Sequence, residues 1–137
     1  MKKIFLSAYC LVLACFAFAQ QKEHKIVFDY TKADTASSAT LMRQVTNILI
    51  ASPGSKIEIV CHGPGLDMIM TDKTSVKKEI GGLHEKFNVI FSACEATMKR
   101  RSIKKNQLLP FVVTVPLANL EISSKQQEGW SYIKAGY

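Results

Sequence analysis

The chain has 137 residues, with 18 basic against 11 acidic side chains for a formal charge of +7, and with 4 cysteines and 3 histidines. That is enough sequence for one domain and too little for two, and at 47% hydrophobic and 21% charged it is neither a disordered nor a collagen-like chain. Four cysteines in this length do not make a disulfide-stapled scaffold, so composition sets a class and any activity has to be sought in local patterns.

Residues 1–19 read as a cleavable leader. Lys2 and Lys3 form a positive start, Ile4 to Phe18 is apolar apart from Ser7, and Ala17-Phe18-Ala19 offers a small-x-small cleavage site that would make Gln20 the first mature residue. The run is too short and wrongly flanked for a spanning helix; a retained N-terminal anchor is the alternative. Leu13-Ala14-Cys15 resembles a lipidation site, but the apolar Phe16-Ala17-Phe18 after it speaks against one. Cleavage would leave a single α/β domain of 118 residues, 20–137, with a charge of +5 after Lys2 and Lys3 are lost. Its cysteines would be Cys61 and Cys94, in a periplasmic or secreted, oxidising location, where they hold one disulfide or act as two special thiols. An exported protein of this modest charge is not expected to meet nucleic acid, and nothing after the leader is expected to hold it in a membrane.

In the mature part, short runs rich in Val, Ile and aromatics alternate with helical patterns. The runs are 25–30, 56–61, 87–91 and 111–115, with a weaker one at 130–133, and they read as strands. Between the first two, Leu41, Val45, Ile48 and Leu49 share one face of a helix from about Ser37 to Ala51, stopped by Ser52-Pro53-Gly54. Val76, Ile80 and Leu83 repeat the pattern in a second helix, weakened by Gly81-Gly82. A third helix is expected from Ala93 to about Lys105. A fourth opens at Pro116, carries Leu117, Leu120 and Ile122, and ends at Gly129. This alternation predicts right-handed crossovers and a parallel sheet covered on both faces, an α/β/α sandwich. Ligands of such sheets bind beyond the carboxyl ends of the strands, here 30–35, 61–67, 92–97 and 115–118.

The sharpest motif at those ends is Phe91-Ser92-Ala93-Cys94-Glu95-Ala96-Thr97-Met98. Ser92 and Glu95 have capping-box spacing, which makes Ser92 an N-cap and places Cys94 at the second helical position. Free backbone N–H groups and the helix dipole there favour a thiolate, against the nearby charge of Glu95. A buried cysteine acting as a small apolar residue is the alternative. The second motif, Cys61-His62-Gly63-Pro64-Gly65-Leu66, reads as a turn whose N–H groups either face a ligand or do nothing beyond turning the chain. His62 is a base or donor beside Cys94, or structural. The phosphate-loop, dinucleotide and nucleophile-elbow fingerprints are absent, and the His and Cys residues lack metal-ligand spacing, so no cofactor and no metal are expected. Lys99-Arg100-Arg101-Ser102-Ile103-Lys104-Lys105 is a solvated basic face or a docking surface for an acidic partner.

Three segments taken together, Val60 to Leu66, Phe91 to Met98, and Gln126-Gln127-Glu128-Gly129-Trp130-Ser131-Tyr132-Ile133, resemble the DsrE/DsrF-like family, and more closely its exported members. The resemblance spans about residues 25–134. It implies a five-stranded parallel α/β/α sandwich of flavodoxin-like architecture with strand order 4-3-2-1-5, and homo-oligomers, often trimers or hexamers. It also implies a place in sulfur metabolism, where an active cysteine carries persulfide sulfur between donor and acceptor proteins. Cys94 matches the family's A-C-x-x-T/S position and is the expected catalytic residue, with His62, Gly63, Gly65, Ser92 and Thr97 shaping a ligand pocket. In the implied order the strands ending at Cys61 and Phe91 are neighbours about 4.8 Å apart. Cys61 and Cys94 would then approach disulfide distance if the loops bend together; in the order 2-1-3-4-5 a strand would separate them. Two other readings stand beside sulfur transfer: a non-catalytic oligomeric domain binding a small ligand or partner, and a thiol/disulfide redox protein using Cys61 and Cys94.

Overall fold

A computed structural model describes residues 23–136; the leader expected at 1–19, its cleavage before Gln20 and the lipidation reading of Cys15 lie outside the described residues. Strands β1 (Lys25–Tyr30), β2 (Lys56–Cys61), β3 (Ile90–Cys94), β4 (Val113–Val115) and β5 (Ser131–Ala135) form one sheet in the order β4-β3-β2-β1-β5. Every neighbouring pair is parallel. The helices are α1 (Thr35–Ala51), α2 (Lys77–Phe87), α3 (Glu95–Arg100) and α4 (Ala118–Gln127), with 3-10 segments at Gly63–Ile69 and Lys105–Gln107.

Strand alternation sorts the side chains onto two faces. Ile26, Phe28 and Tyr30 of β1, Ile57, Ile59 and Cys61 of β2, and Phe91 and Ala93 of β3 form one core with Leu41, Val45 and Leu49 of α1 and Ile80 and Leu83 of α2. Val27, Val60, Cys94 and Val115 point the other way, onto Ala118 and Ile122 of α4. With α1 and α2 on one face and α4 on the other, the sheet lies between two helical layers, as expected. Asp34 caps α1, its carboxylate accepting the Ser37 N–H at 2.8 Å.

Several boundaries differ from those read in the sequence. Phe87 is the last residue of α2, and Asn88 caps that helix in the left-handed region at φ 55°, its N–H turned back to the carbonyls of His84 and Leu83. The third strand therefore runs 90–94 rather than 87–91, because helix end and strand share one apolar stretch. Ser92 consequently sits inside the sheet and is not an N-cap. Cys94 is the N-cap of α3, and no side chain caps that helix. The helix expected to reach Lys105 ends at Arg100. β4 begins at Val113, and α4 begins at Ala118 rather than Pro116. Among the described residues, no helix is long and apolar enough to cross a membrane.

Candidate functional site: the Cys94 pocket

The register brings the carboxyl ends of the strands level: Tyr30 lies beside Cys61, Cys61 beside Ala93, and Cys94 beside Val115. Cys94 closes β3 and opens α3, and the chain leaving β4 passes next to it. The Ala96 N–H donates to the Pro116 carbonyl at 3.3 Å and holds the two exits together. A pocket of about 190 Å³ forms there, with His62, Cys94, Thr97, Arg100, Ala118 and Asn119 among its lining residues.

Cys94 is only 4% exposed. Burial, the largest single influence, opposes ionisation of the thiol. The Thr97 and Ala118 N–H groups, the Thr97 hydroxyl and the Ala96 N–H together outweigh it, and the pKa lies below that of an ordinary cysteine. Two helix starts, those of α3 and α4, thus converge on one sulfur. The Thr97 Oγ1 accepts from the Gly63 N–H at 3.2 Å and from Arg100 Nη2 at 3.4 Å. With its acceptor sites occupied, its own proton is free to donate to the sulfur, which is one of the influences lowering the Cys94 pKa.

His62 follows β2 directly, and its Nε2 is 2.7 Å from Asp29 Oδ1. The other Asp29 oxygen accepts from Tyr132 Oη at 3.0 Å and from Lys134 Nζ at 2.9 Å, both on β5. Asp29 is 8% exposed. Burial raises its pKa, but hydrogen bonds from His62, Lys134 and Tyr132 and the charge of Lys134 prevail, holding it at about 2. Neither Asp29 nor Arg100 stood out in the sequence as a site residue. The signal for Asp29 was a carboxylate inside the apolar run 25–30, set on the face opposite Phe28 and Tyr30.

Cys94, His62 and Thr97, all expected at the site, line the pocket; Gly63, Gly65, Ser92 and Cys61 do not. The Gly63 N–H is committed to Thr97 and the Gly65 N–H to the His62 carbonyl at 3.0 Å, so the turn supplies no free amide cradle. The glycines act sterically. Gly63 stands at φ +54°, and a Cβ on Gly65 would run into the Tyr30 carbonyl and come within 2.9 Å of the Thr31 Cα. Arg101, from the basic run, ties this turn down by donating to the Gly63 carbonyl at 2.8 Å and to Asp67 at 2.5 Å. Ser92 Oγ donates to Glu58 Oε1 at 2.5 Å beneath α4, and Lys125 Nζ faces the other Glu58 oxygen at 3.1 Å while lying 4.7 Å over the Trp130 ring.

Cys61 and Cys94, which would have approached each other if the loops bent together, are both free thiols. Cys61 is in register with Ala93, so Cys94, one residue further on, points through the opposite face. Cys61 is wholly buried in the other core, where burial first and the charge of Asp29 second push its thiol pKa far up. Among the described residues, no three His, Cys, Asp or Glu side chains converge as a metal site would require.

Comparison with known proteins matches residues 23–135 to a family model described as the DsrE/DsrF-like family. No curated protein matches. Among solved structures, the chain is similar to MTH1491, a protein of unknown function from Methanobacterium thermoautotrophicum, at 25% identity and a TM-score of 0.77, over 82% of this chain and 99% of that one.

Proposed function

The chain belongs to the DsrE/DsrF-like family, and from that premise we propose that it carries sulfane sulfur as a persulfide on Cys94. The observation that supports this reading is a thiol with a lowered pKa lining a small pocket, surrounded by N–H donors from two helix starts. The Cys94 thiolate attacks the terminal sulfur of a donor persulfide. A new S–S bond forms on Cys94, the donor's S–S bond breaks, and its electron pair leaves with the donor thiolate. An acceptor thiolate then attacks the outer sulfur and returns Cys94 to its thiolate. The same N–H groups stabilise that thiolate as attacking and as leaving group, which suits a carrier that must both take and release sulfur.

The test is direct. After brief exposure to polysulfide, the Cys94 peptide should gain one sulfur, about 32 Da, and then lose it to an acceptor thiol. The Cys94→Ser protein should gain nothing. A wild-type peptide that never gains this mass, alongside a control carrier that does, would overturn the reading.

A further inference from the structure

His62 shares the pocket with Cys94, yet the exchange of sulfur on Cys94 gives it no role. Its surroundings are specific. Asp29 is buried, and two donors from β5, Tyr132 and Lys134, occupy its Oδ2, which leaves Oδ1 for His62 Nε2 at 2.7 Å. A carboxylate held from both ends keeps one orientation and fixes the plane of the ring it bonds. Ionised, it only accepts, so Nε2 carries a proton, and in the neutral form of the ring the lone pair is on Nδ1. The remaining charged or titratable groups around the pocket are Cys94 at the end of β3 and Arg100 on α3; Cys61 lies behind, on the opposite face of the sheet.

Resting on the carrier reading, we propose that His62 Nδ1 accepts the proton of an incoming acceptor thiol and that Asp29 is the positioning residue that locks His62 in its Nε2–H tautomer. The acceptor R–SH gives its proton to Nδ1, and its sulfur bonds to the outer sulfur of Cys94–S–SH. The S–S bond to Cys94 breaks, and its electron pair stays on Cys94 as thiolate. The products are R–S–SH, the Cys94 thiolate and an imidazolium that later yields its proton to water. Asp29 supplies the countercharge while the imidazolium lasts. The acceptor class this assigns is a thiol that is still protonated at working pH.

Two acceptors separate this from a structural role. 2-Mercaptoethanol must lose a proton to attack; sulfite need not. With persulfide-loaded protein at pH 7, His62→Gln should slow transfer to 2-mercaptoethanol by about 100-fold and Asp29→Asn by about tenfold. Transfer to sulfite should change less than about twofold in either variant. Raising the pH until the acceptor is a thiolate should close the gap. Equal slowing with both acceptors, or no slowing with the thiol, would overturn the assignment. If wild-type Cys94 fails to load at all, the carrier reading itself fails. Nitrogen NMR of His62 in the unloaded protein then decides the positioning claim alone: a wild-type Nδ1–H tautomer, or an Nε2–H tautomer unaffected by Asp29→Asn, refutes it.

Discussion

Cys61 and Cys94 end neighbouring strands one register step apart, and the protein treats them in opposite ways. Cys61 faces the core shared with α1 and α2, where its thiol is sealed and its ionisation suppressed. Cys94 faces the α4 side, where N–H groups meet it and ionisation is favoured. The contrast extends across the centre of the sheet. In the three central strands, β1 to β3, the residues facing α1 and α2 are apolar or aromatic; those facing α4 include Asp29, Glu58 and Ser92, all buried and all partnered by side chains. Pleat alternation alone makes the difference. One side of these central strands supplies stability, and the other positions charge beneath and beside the pocket.

The largest effect should come from truncating the apolar side. Phe91 is buried there and meets the Phe111 ring edge-on at 6.2 Å between centroids. Phe91→Ala should cost about 3–5 kcal/mol in urea unfolding. Val115→Ala, on the α4 side and 8% exposed, should cost about 1.5 kcal/mol for its lost methylene-sized groups. Equal losses would break the division between a stabilising and a functional face.

Next in size is the contrast between the thiols. Iodoacetamide at pH 7, followed by peptide mass analysis, should modify Cys94 at least on the order of 100-fold faster than Cys61, which reacts only when the core opens. Comparable rates would mean that the α4 side is no more accessible than the other.

That contrast also marks what could be read without coordinates. Strands 25–30 and 56–61 were legible because β-branched and aromatic runs of that length are bounded by turn residues, and the placing of Cys94 and His62 at the carboxyl edge of the sheet followed from the parallel strands. The strand order came from the family resemblance; no periodicity contains it. The third strand was misplaced because helix end and strand form one apolar stretch from Phe87 to Phe91, and only the left-handed Asn88 divides them. Asp29 was missed because its partners Tyr132 and Lys134 lie more than a hundred residues away in the chain. A lone carboxylate at a strand end looks solvent-facing until the fifth strand is laid beside the first.

Acid should expose the same asymmetry. The Asp29 pKa is depressed from 3.8 to about 2 in the folded protein. The stabilisation this carries is fully present above the unfolded value and is lost as pH falls from about 4 through about 2. Integrated, it amounts to roughly 2 kcal/mol. Urea unfolding of wild type should therefore weaken between pH 5 and pH 2 by that much more than unfolding of Asp29→Asn. Parallel pH profiles for the two proteins would show that Asp29 gains nothing from His62, Tyr132 and Lys134 on folding.

The smallest effect belongs to Ser92, and it tests the boundary between support and site. Ser92 and Glu95 have the spacing of a helix cap, but Ser92 instead donates to buried Glu58, which is 2% exposed and faces Lys125 on its other oxygen. Ser92→Ala removes one donor from a carboxylate that keeps its cation, so unfolding should become easier by about 1.5 kcal/mol, the low end for a hydrogen bond to a charged group. Because Ser92 lies one residue before Ala93 and on the same side as Cys94, its hydroxyl is near the pocket in sequence but is held beneath α4. Sulfur loading of Cys94 in this variant should match wild type within about twofold, since none of the donors around the sulfur has been touched. A loading defect larger than the stability loss explains would move Ser92 from the support of α4 into the pocket itself, and with it the line between the two roles this side of the sheet combines.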